Sequence, residues 1–246
     1  MSWVALPALP TGECHVWWAD PTGARPQLLN LLGHAERTRW ARFRRAEDRE
    51  RYLVAHALAR IVLGFHLGVA PDRIAFSTVC QRCGGAHGKP RLRGHAERLE
   101  LSISHSGQRV AVAVARRTPV GVDVEETARG LDSASLGRAV LSSAEQAVLD
   151  RLPPADRAQG LLTYWTRKEA LLKATGDGLA IPPASLTVTG LGEPPQLRAW
   201  TGQPQLVAPA HLYDLHPGPG HIACLAVLAT AGPRIVELDA GEQMLS

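Results

Sequence analysis

The segment PVGVDVEE (residues 119–126) alternates the apolar, β-branched Val120, Val122 and Val124 with Gly121, Asp123 and Glu125. Such residues favour strands, and a strand sends successive side chains to opposite faces. Asp123 and Glu125 therefore share one side, roughly 7 Å apart along the chain. A charged outer face is ordinary for a half-buried strand. Two like charges on one short strand gain no pairing, however, and a divalent cation would give them a purpose. Mg²⁺ takes oxygen ligands, commonly one or two carboxylates together with substrate phosphates.

A further carboxylate stands in RAQGLLTYWTRKEALLKATGDGL, the longest helical candidate of the chain. Glu169 and Lys173 are four residues apart and share a helix face, which also fits a plain surface ion pair. Trp165, Leu171 and Leu172 mark the helix as buried. Glu169 is thus a candidate third metal ligand, and Lys173, one turn on, can reach an anion held by the same metal.

Other residues with chemical potential are harder to assign. SISHSG places Ser104, His105 and Ser106 where a strand ends. A histidine there suits a structural role as well as a catalytic one, and Ser-His neighbours in sequence do not make a hydrolase triad. Arg44, Arg45, Arg49 and Arg51 crowd the start of a helix, either as a solvated face or as an arginine cluster for phosphates. CQRCGGAHGKP offers Cys80, Cys83 and His87 as potential zinc ligands, but no second pair at close spacing accompanies them. A reduced, metal-free loop is the expectation. There is no G-x-S-x-G elbow, no Walker loop and no G-x-G-x-x-G.

The elements that must position these residues follow from periodicity and turn signals. CHVWWAD reads as a strand, LLNLLGHAERTRWARF and AEDRERYLVAHALARIVLGFHLG as helices, the latter stopped by Gly68. RIAFSTV, LELSISHSG, RVAVAVARR and PVGVDVEE read as strands, the last three as an antiparallel meander with short turns. LDSASLGRAVL and SSAEQAVLDRL are short helices, the second opened by a Ser142/Glu145 capping box. Gly176 caps the long helix, and the strands SLTVTG, PQLRAWT, AHLYDLH and HIACLAVLA follow. The order predicts an α+β protein of two similar halves joined near Thr118-Pro119, with residues 1–118 in the first and 119–246 in the second.

The chain has 246 residues and a net charge of +4. That charge suits an anionic ligand or an acidic partner and is too small to argue for nucleic acid. Only Lys89, Lys168 and Lys173 are lysines. No signal peptide is visible, and no stretch approaches the roughly 20 apolar residues of a membrane span. A cytoplasmic protein is expected, in which the four cysteines form no disulfide framework.

GKP, SISHSG, GVDVEE and WTRKEALLKATGDGL stand in this order along the chain. Together they resemble the signature of the 4′-phosphopantetheinyl transferases, specifically the larger Sfp-type members that activate polyketide and nonribosomal peptide synthetases. The resemblance runs from Phe43 to Ile181. GVDVE alone is weak; followed by W-x-x-K-E-x-x-x-K it is specific. The length matches the pseudo-dimeric Sfp type rather than the half-length trimeric type.

The resemblance implies a pseudo-dimer with coenzyme A bound between the halves as co-substrate. A serine of an acyl or peptidyl carrier protein attacks the β-phosphate, phosphopantetheine is transferred, and 3′,5′-adenosine bisphosphate leaves. It implies that Asp123, Glu125 and Glu169 hold Mg²⁺ and that Lys173 contacts a phosphate. Lys89, Ser104 and His105 grip the nucleotide phosphates, with Arg51 and Arg44 adding charge. Asp123, Glu169 and Lys173 form the catalytic set, with Glu169 a candidate base. A monomer acting on polyketide, fatty-acid or nonribosomal peptide carriers is expected, without nucleic acid or membrane as partner. The CQRCGG stretch lies outside the core signature. The competing reading is a non-catalytic module of the same fold that binds coenzyme A or a nucleotide; retention of all three carboxylates and Lys173 argues against it. A zinc-loop nucleic-acid binder is disfavoured, because the tryptophans lie in apolar patterns rather than among arginines.

Overall fold

A computed structural model describes residues 6–80, 83–85, 88–94, 99–127, 133–241 and 244–245. In chain order the first elements are β1 (Glu13–Ala19), α1 (His34–Trp40), α2 (Ala46–Leu67), β2 (Phe76–Ser77), β3 (Arg91–Leu92), β4 (Glu100–Ser106) and β5 (Arg109–Ala115). There follow β6 (Val120–Glu126), α3 (Ser133–Val140), α4 (Ser143–Leu149), α5 (Pro154–Thr175), β7 (Leu186–Val188), β8 (Leu197–Trp200), β9 (Ala210–Asp214), β10 (His221–Leu228) and β11 (Arg234–Asp239). The chain divides into Met1–Arg117 with Arg234–Ser246, and Thr118–Pro233. Each unit sets one helix of 22 residues against a sheet, an α+β construction.

In the first unit the sheet order is β11-β1-β5-β4. Val110, Val112 and Val114 of β5 project from one face into a core shared with Tyr52, Leu58, Val62 and Leu63 of α2. That is the period of two meeting the period of 3.6, the match that buries one face of each element. β4 and β5 form the expected antiparallel hairpin, turning at Gly107, whose φ of 51° lies in the left-handed region that glycine tolerates.

Two expectations from sequence do not hold. Residues 234–246 belong with the first unit, because β11 pairs in parallel with β1 from Glu13↔Arg234 to Trp18↔Asp239. Trp18 Nε1 also donates to Glu237 Oε2 at 2.9 Å. The edge of β1 thereby gains a partner for its unpaired backbone groups, which a strand of 7 residues cannot leave bare without risk. Nor does β6 extend the β4–β5 meander. It pairs antiparallel with β10, placing Asp123 opposite Cys224 and Gly121 opposite Ala226, in a sheet of order β6-β10-β9.

In the second unit α5 covers this sheet, and its Leu171, Leu172 and Ala174 share a core with Cys224 and Ala226 of β10. Gly176 ends α5 with φ 85°, as the sequence predicts. The capping box of α4 is formed: Ser142 N donates to Glu145 Oε2 at 2.7 Å, and Glu145 N to Ser142 Oγ at 3.4 Å. No helix among the described residues is long and apolar enough to cross a membrane.

Candidate active site

The face of β6 that carries Gly121, Asp123 and Glu125 is turned to α5, not to solvent. The cause is Gly121. A Cβ there would lie 2.0 Å from the carbonyl oxygen of Ala170 and 2.3 Å from the amide nitrogen of Ala174. Only a residue without a side chain lets the helix backbone rest directly on the strand. Two strand residues advance about 6.7 Å and one helical turn 5.4 Å, so successive same-face residues of β6 meet successive turns of α5. Gly121 meets Ala170 and Ala174, Asp123 meets Lys173, and Glu125 meets Trp165.

Asp123 is only 3% exposed, and Lys173 Nζ donates to its Oδ1 at 2.7 Å. The lysine side chain remains 27% exposed, so its ammonium lies at the rim of the site. Trp165 Nε1 donates to Glu125 Oε1 at 3.0 Å. Between them stands Glu169, whose Oε1 is buried without a hydrogen-bond partner among the described residues. The Glu169 pKa is raised to about 7, chiefly by burial, with the Asp123 charge adding to the rise, Lys173 opposing it and Glu125 adding a little more. A carboxyl that titrates near neutrality can accept and return a proton at physiological pH.

The carboxylates suit a hard cation: their oxygens are of the right kind, they repel one another, and one of them is orphaned in a buried place. Among the described residues no group of three or more His, Cys, Asp or Glu side chains is already drawn together around one point. Lys173 sits on Asp123 and Trp165 on Glu125, so gathering the oxygens requires side chains to turn.

Lys168, the neighbour of Glu169, does different work. It is fully buried, and its Nζ donates to Glu145 Oε2 and, at 2.7 Å, to Val140 O. Glu145 in turn accepts from Val188 N at 2.8 Å. Burial lowers the Lys168 pKa and the Glu145 charge raises it back in part. This pair ties α5 to α4, β7 and the end of α3.

The remaining candidates belong to the first unit. Arg44 is exposed between α1 and α2. Arg51, on α2, donates from Nη1 to Gly107 O at 3.1 Å and pairs through Nη2 with Asp48, so it fastens the turn that follows SISHS. Ser104 is 6% exposed and His105 half-buried; as neighbours on β4 they point to opposite faces of the strand. Lys89 Nζ lies 3.6 Å from Glu100 Oε2 at the start of the same strand. Burial brings the Lys89 pKa down to about 8, the Glu100 charge working against this and Arg91 with it. Cys83 is exposed and Cys80 half-buried, with no disulfide among the described residues; His87 lies outside them.

The roles of Gly121 and Trp165 escape a reading of motifs. The available signal was spacing: Trp165, Glu169 and Lys173 recur every four residues and form one stripe on α5.

The family model of the 4′-phosphopantetheinyl transferase superfamily matches residues 119–225, the span that contains β6 and α5. The chain is 31% identical to the 4′-phosphopantetheinyl transferase HetI of Nostoc sp. (strain PCC 7120), over 94% of each chain. It is 29% identical to the 4′-phosphopantetheinyl transferase psf-1 of Bacillus pumilus, over 92% of this chain and 93% of that one. A crystal structure of the holo-[acyl-carrier-protein] synthase of Thermotoga maritima aligns over 46% of this chain and 64% of that one at 22% identity, with a TM-score of 0.36. The chain belongs to the 4′-phosphopantetheinyl transferase family.

Proposed function

We propose that the protein transfers the 4′-phosphopantetheine arm of coenzyme A to a serine of an acyl or peptidyl carrier protein and releases 3′,5′-adenosine bisphosphate. The observation that carries this is Glu169, near-neutral and with its buried Oε1 left without a hydrogen-bond partner among the described residues, set beside Asp123, Glu125 and Lys173. The serine hydroxyl forms a bond to the β-phosphorus as the bond from that phosphorus to the bridging oxygen breaks. Glu169 is the candidate acceptor of the hydroxyl proton, directly or through a water, in whatever part of the cycle it is not engaged by a cation. Lys173 offers its ammonium to a phosphate, where charge grows on the leaving group. In the first unit Lys89, Ser104, His105, Arg51 and Arg44 supply the groups that hold the nucleotide phosphates.

Asp123, Glu125 and Glu169 would hold Mg²⁺, which when bound supplies neutralisation of the pyrophosphate charge. Near-full coverage of HetI and psf-1 supports an enzyme of the larger, Sfp type. As such an enzyme the protein acts in the cytoplasm as a monomer, on carriers of polyketide, fatty-acid or nonribosomal peptide synthases, with no nucleic acid or membrane as partner.

The test is incubation of the protein with apo carrier protein, coenzyme A and Mg²⁺, followed by intact mass spectrometry. Addition of one phosphopantetheine to the carrier is expected, with none for Asp123→Ala. Binding of coenzyme A without transfer to several carriers would identify a non-catalytic binding module instead.

A further inference from the structure

We propose that Arg167 and Lys168 are positioning residues for transfer: two buried cations, anchored on different sides of α5, fix the rotation of that helix about its axis and so aim Glu169 at β6. The inference rests on the reading that Glu169 serves the transfer, and it adds what holds Glu169 in place.

Three consecutive charged residues, Arg167, Lys168 and Glu169, stand within α5. Successive helical residues point about 100° apart around the axis, so the three leave by three sides. Glu169 lies toward Asp123 and Glu125 of β6, whose charges act on it. Arg167, 2% exposed, reaches the segment after β7 and the end of β9. Its Nη1 donates to Thr189 O at 2.7 Å and to Gly190 O at 2.8 Å, and its Nη2 to Asp214 Oδ2 at 2.7 Å. Lys168, fully buried, reaches Val140 O at the end of α3 and Glu145 of α4. Glu145 is itself held by backbone amides, its Oε1 accepting from Val188 N at 2.8 Å and its Oε2 from Ser142 N at 2.7 Å.

Stability gives little reason for the Lys168–Glu145 pair. Two ions withdrawn from water recover that cost only in part from each other, and an apolar pair of the same volume is often as stable or more so. Direction is what an apolar pair does not supply. Charge-assisted hydrogen bonds are strong and weaken steeply once their geometry is lost. At Gly121 the backbone of α5 rests on β6 with no side chain between them, so no knob locks the helix there and its rotation is fixed elsewhere. The magnitudes suffice. A turn of α5 by roughly 20° moves a group about 6 Å from the axis by about 2 Å. A misplacement of about 1 Å can slow a reaction about a hundredfold.

Lys168→Met combined with Glu145→Gln removes both charges of one anchor. Arg167→Lys keeps the charge of the other and loses the guanidinium fork. Each is assayed beside the wild type with coenzyme A and apo carrier protein, at a temperature where circular dichroism shows it folded. We expect kcat to fall about tenfold or more, with the Michaelis constant for coenzyme A within about twofold of wild type, because the groups proposed to hold the nucleotide lie off α5. A residue that only supports the fold would lower the melting temperature and leave kcat of the folded enzyme unchanged. Wild-type kcat in either folded variant, or a loss confined to the Michaelis constant, overturns the proposal and leaves the transfer reading intact. Where only one variant folds, that one decides. Failure of both to fold also overturns the proposal, since the anchors would then hold the fold itself. Absence of transfer by the wild type would sink the transfer reading and this inference with it.

Discussion

The indole N–H of Trp165 donates to Oε1 of Glu125 at 3.0 Å, joining the first residue of a helical stripe to the last of a strand triplet. Trp165 lies one turn before Glu169 and two before Lys173, and Glu125 two residues beyond Asp123. The bond thus holds one carboxylate at the far end of the cluster, as Lys173 holds Asp123 nearer the other. Trp165→Phe keeps most of the ring and removes the donor. We expect the fold to survive with a loss of about 1–2 kcal/mol in unfolding free energy. The Mg²⁺ concentration for half-maximal transfer should rise severalfold. An unchanged Mg²⁺ dependence would leave Trp165 with packing alone.

The pH dependence of stability follows from Glu169. Its folded pKa of about 7 stands above the ordinary 4.5. Below 4.5 both folded and unfolded states hold the proton and nothing is lost. Between the two values the unfolded state gives up its proton first, so stability falls as pH rises, and above about 7 the full cost is present. Allowing for partial solvent screening, the cost is about 1–2 kcal/mol. Glu169→Gln imitates the protonated form. In chelator, it should be more stable than wild type at pH 8 by that amount and nearly equal to it at pH 4. Denaturant unfolding at both values measures this, and a difference independent of pH would refute the raised pKa.

What could be read in advance was what local periodicity encodes. Strand alternation put Asp123 and Glu125 on one side, and helical spacing put Glu169 and Lys173 on one face, so the core of the cluster was legible before any coordinates. Which sheet receives β6 was not, because its partner β10 begins at His221, and no local signal distinguishes that pairing from the nearer β5. The parallel pairing of β11 with β1 spans nearly the whole chain and was missed for the same reason. Lys168 and Lys173 look alike in sequence. Their different burial, complete for one and partial for the other, depends on Glu145, whose place beside α5 is a tertiary fact.

Gly121→Ala should be damaging. Its Cβ would meet backbone atoms of α5 at 2.0 and 2.3 Å, and backbone cannot swing aside as a side chain can. We expect a loss of at least about 1–3 kcal/mol, together with loss of transfer, since Glu169 and Lys173 ride on the displaced helix. Gly137, in α3, is the control: its nearest contact would be 3.5 Å, to the end of Gln146. Gly137→Ala should stabilise by about 0.5–1 kcal/mol. Thermal unfolding and transfer assays on the two variants give opposite signs if the close approach is real.

The cysteine loop is expected to be dispensable. Cys80→Ser with Cys83→Ser should retain wild-type turnover. Release of stoichiometric zinc by a chelator, with unfolding, would show that the loop is a metal site after all.

The last expectation concerns the carrier protein and rests on the proposed transfer. Carrier proteins, by the family resemblance, present an acidic helix beside the serine that is modified. α3 and α4 lead into the helix that carries Glu169, and their surface combines an apolar residue with a basic one. Val148 is 41% exposed on α4, and Arg138 is exposed on α3. An apolar contact with a charged rim suits such a partner, the charge acting on encounter rate and register more than on final affinity. Arg138→Glu should raise the Michaelis constant for carrier protein severalfold and leave that for coenzyme A unchanged. The defect should shrink as salt is added, because exposed charges are screened within about 10 Å at 0.1 M ionic strength. Steady-state kinetics with each substrate varied in turn separates the outcomes. Equal losses for both substrates would mean misfolding or a nucleotide role for Arg138, and no loss for either would move the docking surface away from α3.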